Sequence, residues 1–183
     1  MKFNKIYVLG AGAVGCYFGG MLVRARKDVT LIARSDRVNA LNQYGLEMDC
    51  KSFQEVVPIK ASSDLNTLAD ADLILLSVKS PDTEKVVQEI AHIIPRHAVV
   101  VSLQNGVSNV DIAARYLKNP TFAAVVYVAA GMVGERTMKH HGRGELYVGS
   151  LQEVTAEDQQ RLMAVCNVFE TAGVPCSIPS NLK

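Results

Sequence analysis

The chain has 183 residues, 49% apolar and 20% charged, which supports a sizeable core and excludes global disorder. Its formal charge of +1 gives no reason to expect nucleic acid or an anionic membrane as partner. The first strand starts a few residues after Met1 and no apolar run reaches spanning length, so the expectation is a soluble, cytoplasmic protein.

Ile6 to Leu9 is a short, uninterrupted apolar run, the pattern of a strand buried on both faces. It ends in Gly10, Gly12 and Gly15, spaced GxGxxG, after which Val14, Tyr17, Phe18, Met21, Leu22 and Ala25 recur at helical spacing. Strand, glycine turn and helix in this order predict a dinucleotide-binding unit. Gly10 permits the tight turn, Gly12 lets backbone approach a pyrophosphate, and Gly15 lets the helix pack against the strand. Together with Ala11, Ala13 and Val14 they present the unpaired N–H groups of a helix start to phosphate. Cys16 follows at a position where a thiol pKa can fall, but a packing role is the simpler expectation. It and Cys50, Cys166 and Cys176 are far apart without a CxxC, which argues against zinc.

Val29 to Ala33 reads as the second strand, and the residues just beyond it select the dinucleotide. An acid there would hold the ribose hydroxyls of NAD; Arg34 instead suits a 2′-phosphate, with Ser35 and Arg37 near enough to help. The alternative makes Asp36 the acid of an NAD enzyme, displaced by two positions. Arg37 to Tyr44 predicts a short helix ended by Gly45, and Leu46 to Cys50 with Gln54 to Ile59 an antiparallel hairpin turning at Lys51 and Ser52. Asp64 to Asp70 is a weak helical or turn segment.

Asp72 to Val78 is another buried strand, and Lys79 stands at its carboxyl end, where open parallel sheets bind ligands. It reads either as a residue reaching a bound anion or carbonyl, or as an exposed loop lysine. Ser80 and Pro81 would cap the next helix, whose inner face is Val86, Val87, Ile90 and Ile94. Ala98 to Leu103 is a strand opening into Gln104, Asn105 and Gly106. Asn105 is either a turn residue or a carboxamide that donates to one substrate oxygen and accepts from another. A helix from about Val107 to Leu117 and a strand from Phe122 to Val128 follow. Arg136 to His141 and Glu145 to Val148 read as two antiparallel strands around Gly142 and Gly144, with His140 and His141 as surface residues. Thr155 to Ala172 is a helix that Thr155 caps and in which Asp158 nearly completes a capping box; Val174 to Ile178 predicts a last strand.

These pieces resemble the ketopantoate reductase (2-dehydropantoate 2-reductase) family: GAGAVG at Gly10 to Gly15, Arg34 in LIARS, VKS at Val78 to Ser80 and SLQNGV at Ser102 to Val107. HHGRGELYVG at His140 to Gly149 fits that family's later hairpin more loosely. The resemblance implies an α/β, Rossmann-type, doubly wound and mainly parallel sheet with helices on both faces. Residues 1–172 would be the NADP-binding domain, and 173–183 the last strand and the start of the connection to a helical second domain absent from this chain. It implies NADP(H) as cofactor, with Gly10 to Gly15 on the pyrophosphate, Arg34 on the 2′-phosphate, and Lys79 and Asn105 lining the nicotinamide and substrate end as binding and catalytic residues. The substrate would be a small 2-keto acid, reduced by hydride on the route to pantothenate, and a homo-oligomer is compatible with the sequence. The family's proton donor, a lysine on the first long helix of the second domain, would lie beyond Lys183, leaving this fragment inactive alone. A reductase of another 2-keto acid or ketone, and a non-catalytic NADP(H)-sensing module, are the alternatives.

Overall fold

Ten strands form one sheet in the computed structural model, which describes residues 1–106, 108–180 and 182. In chain order the elements are β1 (Ile6–Leu9), α1 (Ala13–Arg24), β2 (Val29–Ile32), α2 (Ser35–Tyr44), β3 (Leu46–Cys50), β4 (Phe53–Val57) and β5 (Lys60–Ser62). Then come β6 (Leu73–Leu76), α3 (Thr83–Ile90), β7 (Val99–Ser102), α4 (Ser108–Tyr116), β8 (Thr121–Val133), β9 (Thr137–Gly149), α5 (Ala156–Glu170) and β10 (Cys176–Ser177).

The neighbours β5-β2-β1-β6-β7-β8 are all parallel. Their order of appearance is the 3-2-1-4-5-6 of a doubly wound fold. Continuous apolar strands suit a sheet covered on both faces. Val8, Leu73, Leu75 and Val101 pack with residues of α1 and α5 on one side, while Tyr7, Leu9, Ile74 and Val100 pack with those of α3 and α4 on the other. Phe18 of α1 meets Phe169 of α5 edge to face at 5.9 Å.

Beyond this parallel block the sheet curls. β8 and β9 are 13 residues each, roughly 40 Å long at about 3.3 Å per residue, yet only Thr121 to Ala123 pair with β7. The overhanging part of β9 carries β3, itself paired with β4, and further along the same edge β10. The β8–β9 register shifts at Tyr127/Val128 and again at Ala129/Ala130, opposite Arg143 at φ 61° between Gly142 and Gly144. Bulges of this kind bend a strand and raise its twist. The bent overhang closes on α1, which is therefore buried almost all round rather than on one face. The approach is so close that a Cβ at Gly20 would lie 2.5 Å from Met48 Sδ, and one at Gly144 2.4 Å from the Tyr17 hydroxyl.

Several expectations need correcting. The stretches at 136–141 and 145–148 are one strand antiparallel to β8, because Gly142 and Gly144 bulge instead of turning and the real turn holds Gly134 at φ 70°. His140 is half-buried, its ring stacked on Tyr17 at 4.5 Å, not a surface residue; His141 is exposed. The hairpin's second strand ends at Val57, before Pro58, and the unforeseen β5 forms the opposite sheet edge beside β2. Ser80 to Asp82 is a separate 3₁₀ turn with no side-chain cap, so α3 starts only at Thr83. Val107, the expected start of α4, lies outside the described residues, as does Lys183. The last strand is shorter than expected, and Asp158 completes the capping box with Thr155. Among the described residues no helix is long and apolar enough to cross a membrane.

Candidate functional site

From β1 the chain winds outward to β2 and β5 and then returns to β6 on the other side of β1. The winding direction therefore reverses between β1 and β6, and the carboxyl ends flanking that point are where such sheets form ligand crevices. Gly10 there has φ +111°, and a Cβ on it would meet Val78 N at 2.7 Å. The Ser77 hydroxyl donates to Gly10 O at 2.7 Å, tying the two strand ends together. A Cβ on Gly15 would stand 2.2 Å from Gly10 O and 2.9 Å from Val8 Cγ1. One on Gly12 would meet nothing within 4 Å, because that position faces open space.

α1 starts without a side-chain cap on Gly12 and without an acid in its first turn. Its first intrahelical bond runs from Cys16 N–H to Gly12 O at 2.8 Å, so the amides of Ala13, Val14 and Gly15 precede the helical ladder. This is the geometry that favours an anion at a helix N-terminus. Burial pushes the Cys16 thiol up to about 11 against the opposing pull of Arg37, in keeping with a packing role.

The loop opens on a crevice of about 600 Å³ that is also lined by Arg34, Ser63, Leu65, Val78 and Lys79. The Arg34 side chain is 83% exposed and lies 3.6 Å from Asp36, itself 60% exposed. An exposed pair of this kind contributes about 0–1 kcal/mol, so little holds the guanidinium back from a stronger anion. Arg37, half-buried, lines the same crevice with its guanidinium anchored. It donates to the carbonyls of Ala11 and of Glu135, the latter at 2.8 Å, and so clamps the glycine loop to the β8–β9 turn.

The structure thus brings the glycine loop, Arg34, Arg37 and Lys79 into one crevice. Lys79 is exposed, three residues past the end of β6. Asn105 lines a separate notch of about 90 Å³, with Gln104, Gly106 and the Ala123 to Val126 stretch of β8. Between the two loops lies a buried polar cluster of Thr83, Ser102, Gln104 and Asn109, which sequence reasoning did not single out. Polar residues after a strand read as loop; only the topology shows that these are enclosed. Among the described residues no group of three His, Cys, Asp or Glu side chains is placed to hold a metal.

Strand order, reversal point and glycine loop place the chain in the Rossmann class of α/β proteins. A family model described as ketopantoate reductase PanE/ApbA matches residues 6–153, and the chain belongs to that family. It is 30% identical to a 2-dehydropantoate 2-reductase of Pyrococcus abyssi over 97% of this chain. A PanE/ApbA family ketopantoate reductase from Ralstonia eutropha JMP134 superposes with a TM-score of 0.88 at 43% identity, over 97% of this chain and 57% of that one. A D-mandelate dehydrogenase in ternary complex with NADH and anilino(oxo)acetate shares the fold, with a TM-score of 0.87 at 24% identity over 97% of this chain and 57% of that one. The chain spans 57% of the length of the Pyrococcus abyssi reductase.

Proposed function

We propose that this chain is the NADPH-binding part of a cytoplasmic 2-dehydropantoate 2-reductase, which reduces ketopantoate to pantoate. In this reading residues 1–172 form the cofactor domain and 173–183 lead toward a second domain. The observation that carries it is the pairing, within one crevice, of an uncapped glycine-loop helix start with an 83% exposed arginine at the end of the second strand.

The residues fit the cofactor. Open space over Gly12 admits a pyrophosphate against the amides of the Ala13 to Gly15 turn, where the helix dipole adds to the attraction. Arg34 supplies a forked donor for a 2′-phosphate. Lys79, at the reversal point, carries the positive charge that would hold a keto acid's carboxylate or the oxygen of its ketone. Asn105 offers a carboxamide from the neighbouring notch. When bound, the nicotinamide supplies hydride to the ketone carbon, and the carbonyl oxygen takes up a proton. The proton donor is assigned to the part of the relatives that this chain does not span, so the chain alone is expected to bind cofactor without turnover.

Titration of the chain with NADPH and NADH tests the reading. NADPH is expected to bind at least about tenfold more tightly, the worth of one charge-assisted contact, and Arg34→Ala to remove the difference. Equal affinities in the unmodified chain would instead favour the second reading, in which Asp36, close enough to Arg34 to share that strand end, holds the ribose hydroxyls of NADH.

A further inference from the structure

Thr83, Ser102, Gln104 and Asn109 are the buried polar side chains among the described residues, and all four belong to one hydrogen-bonded cluster. The Gln104 carboxamide donates to Val78 O at 2.8 Å and to Thr83 Oγ1 at 2.6 Å, and its oxygen accepts from Ser102 Oγ at 3.1 Å. Thr83 Oγ1 donates to Asn109 Oδ1 at 3.2 Å. Asn109 Nδ2 lies within reach of Ser80 Oγ at 3.1 Å, Asn105 O at 3.0 Å and Gly106 O at 3.4 Å. No side-chain atom of the cluster is left without a partner.

The places where this cluster meets the backbone are telling. It grips Val78 and Ser80, the residues on either side of Lys79, and it grips Asn105 and Gly106. An apolar filling would support two loops equally well as mere packing, and it would avoid the desolvation of four polar groups. Polar connections instead fix direction and register, which matters where two side chains must be held in a set relation. We infer that the Gln104–Thr83–Asn109 cluster is a positioning device that locks the Lys79 and Asn105 loops together as one unit and thereby sets the nicotinamide end of the dinucleotide site. This rests on the cofactor reading above. Thr83 is the pivot, because its hydroxyl accepts from the β7 side and donates to the α4 side.

The test uses the whole 183-residue chain and two probes: NADPH, which spans both ends of the site, and 2′,5′-ADP, which lacks the nicotinamide. Thr83→Val keeps the side-chain shape and removes both bonds. NADPH affinity should fall about tenfold, with loss of the bound nicotinamide's fluorescence enhancement, while 2′,5′-ADP affinity stays within about twofold. Thr83→Ser restores the hydroxyl and should restore both. Amide hydrogen exchange should speed up together at 78–80 and 104–106, with 10–15 unchanged. Should Thr83→Val not fold, Asn109→Leu, which leaves Thr83 and Gln104 paired, must show the same split between probes. Equal weakening of both probes, or unchanged NADPH binding in a folded variant, overturns the inference. A wild-type chain that binds neither probe overturns the cofactor reading itself and this role with it, and is recognised before any variant is made.

Discussion

A single methyl group added at Gly12 or at Gly15 separates binding from packing within the same loop. At Gly15 a Cβ would lie 2.2 Å from Gly10 O and 2.5 Å from Ser77 Oγ, so backbone and a bonded hydroxyl must both move. Overpacking a core costs about 1–3 kcal/mol, and the upper end applies here because no flexible chain end can yield. With a shift of about 2–4 °C per kcal/mol for a chain of this size, Gly15→Ala should melt about 6–12 °C lower. At Gly12 a Cβ meets nothing within 4 Å, and the backbone, at φ −78°, tolerates any residue. Its two stability effects, loss of glycine's cap preference and reduced freedom of the unfolded chain, are each about 0.5–1 kcal/mol and opposite in sign. The Gly12→Ala melting temperature should therefore barely move. The methyl stands where a pyrophosphate would approach, and loss of a charged hydrogen bond worth about 1.5–3 kcal/mol predicts about 10- to 100-fold weaker NADPH binding. Thermal melts and fluorescence titrations of the two variants decide the matter. Wild-type NADPH affinity in Gly12→Ala would refute the loop as the pyrophosphate site, and an unshifted melt in Gly15→Ala would refute the packing argument.

Two further outcomes follow from other parts of the molecule. Arg37→Ala leaves the Ala11 and Glu135 carbonyls without its guanidinium, and should destabilise by about 1–3 kcal/mol in urea unfolding while weakening NADPH and NADH alike, the outcome expected of a guanidinium committed to the loop carbonyls; a loss confined to NADPH would give it a share in the 2′-phosphate site. Asp28 sits between Lys5 and Lys60 at 2.6 and 2.7 Å, and its hydrogen bonds to them lower its pKa from the ordinary aspartate range. A depressed folded-state pKa means that its contribution is complete above the unfolded value, about 3.9, and is lost as pH falls through the folded value. Urea midpoints between pH 3 and 7 should therefore show a smaller acid-side decline in Asp28→Asn than in wild type, and identical declines would remove this assignment.

Legibility in the sequence followed local chemistry. β1, the glycine turn and α1 were readable because a change from an unbroken apolar run to helical spacing needs only neighbours in the chain. The Thr155 cap was readable for the same reason. The β8–β9 hairpin was not, since Gly142 and Gly144 look like turn residues unless the curl of the sheet over Tyr17 is known. β5 is three residues long, below the length at which alternation is visible. Strand-end position singles out Arg34 but leaves Lys79 open between a ligand-facing residue and a loop lysine; both line the crevice. Arg37 lines the same crevice as Arg34, and its bonds to the Ala11 and Glu135 carbonyls, the latter 98 positions away, are a relation that no spacing rule reports. In the sequence Gln104 reads as part of a polar opening after a strand, because nothing local says that a strand-end carboxamide will be enclosed beside Thr83.

The most direct measurement is a crystal structure of the chain grown with NADP⁺. The account predicts the pyrophosphate on the amides at the start of α1 and the 2′-phosphate within hydrogen-bond distance of Arg34. A nucleotide bound with its ribose hydroxyls on Asp36 and Arg34 turned away, or one seated outside this crevice, would contradict it.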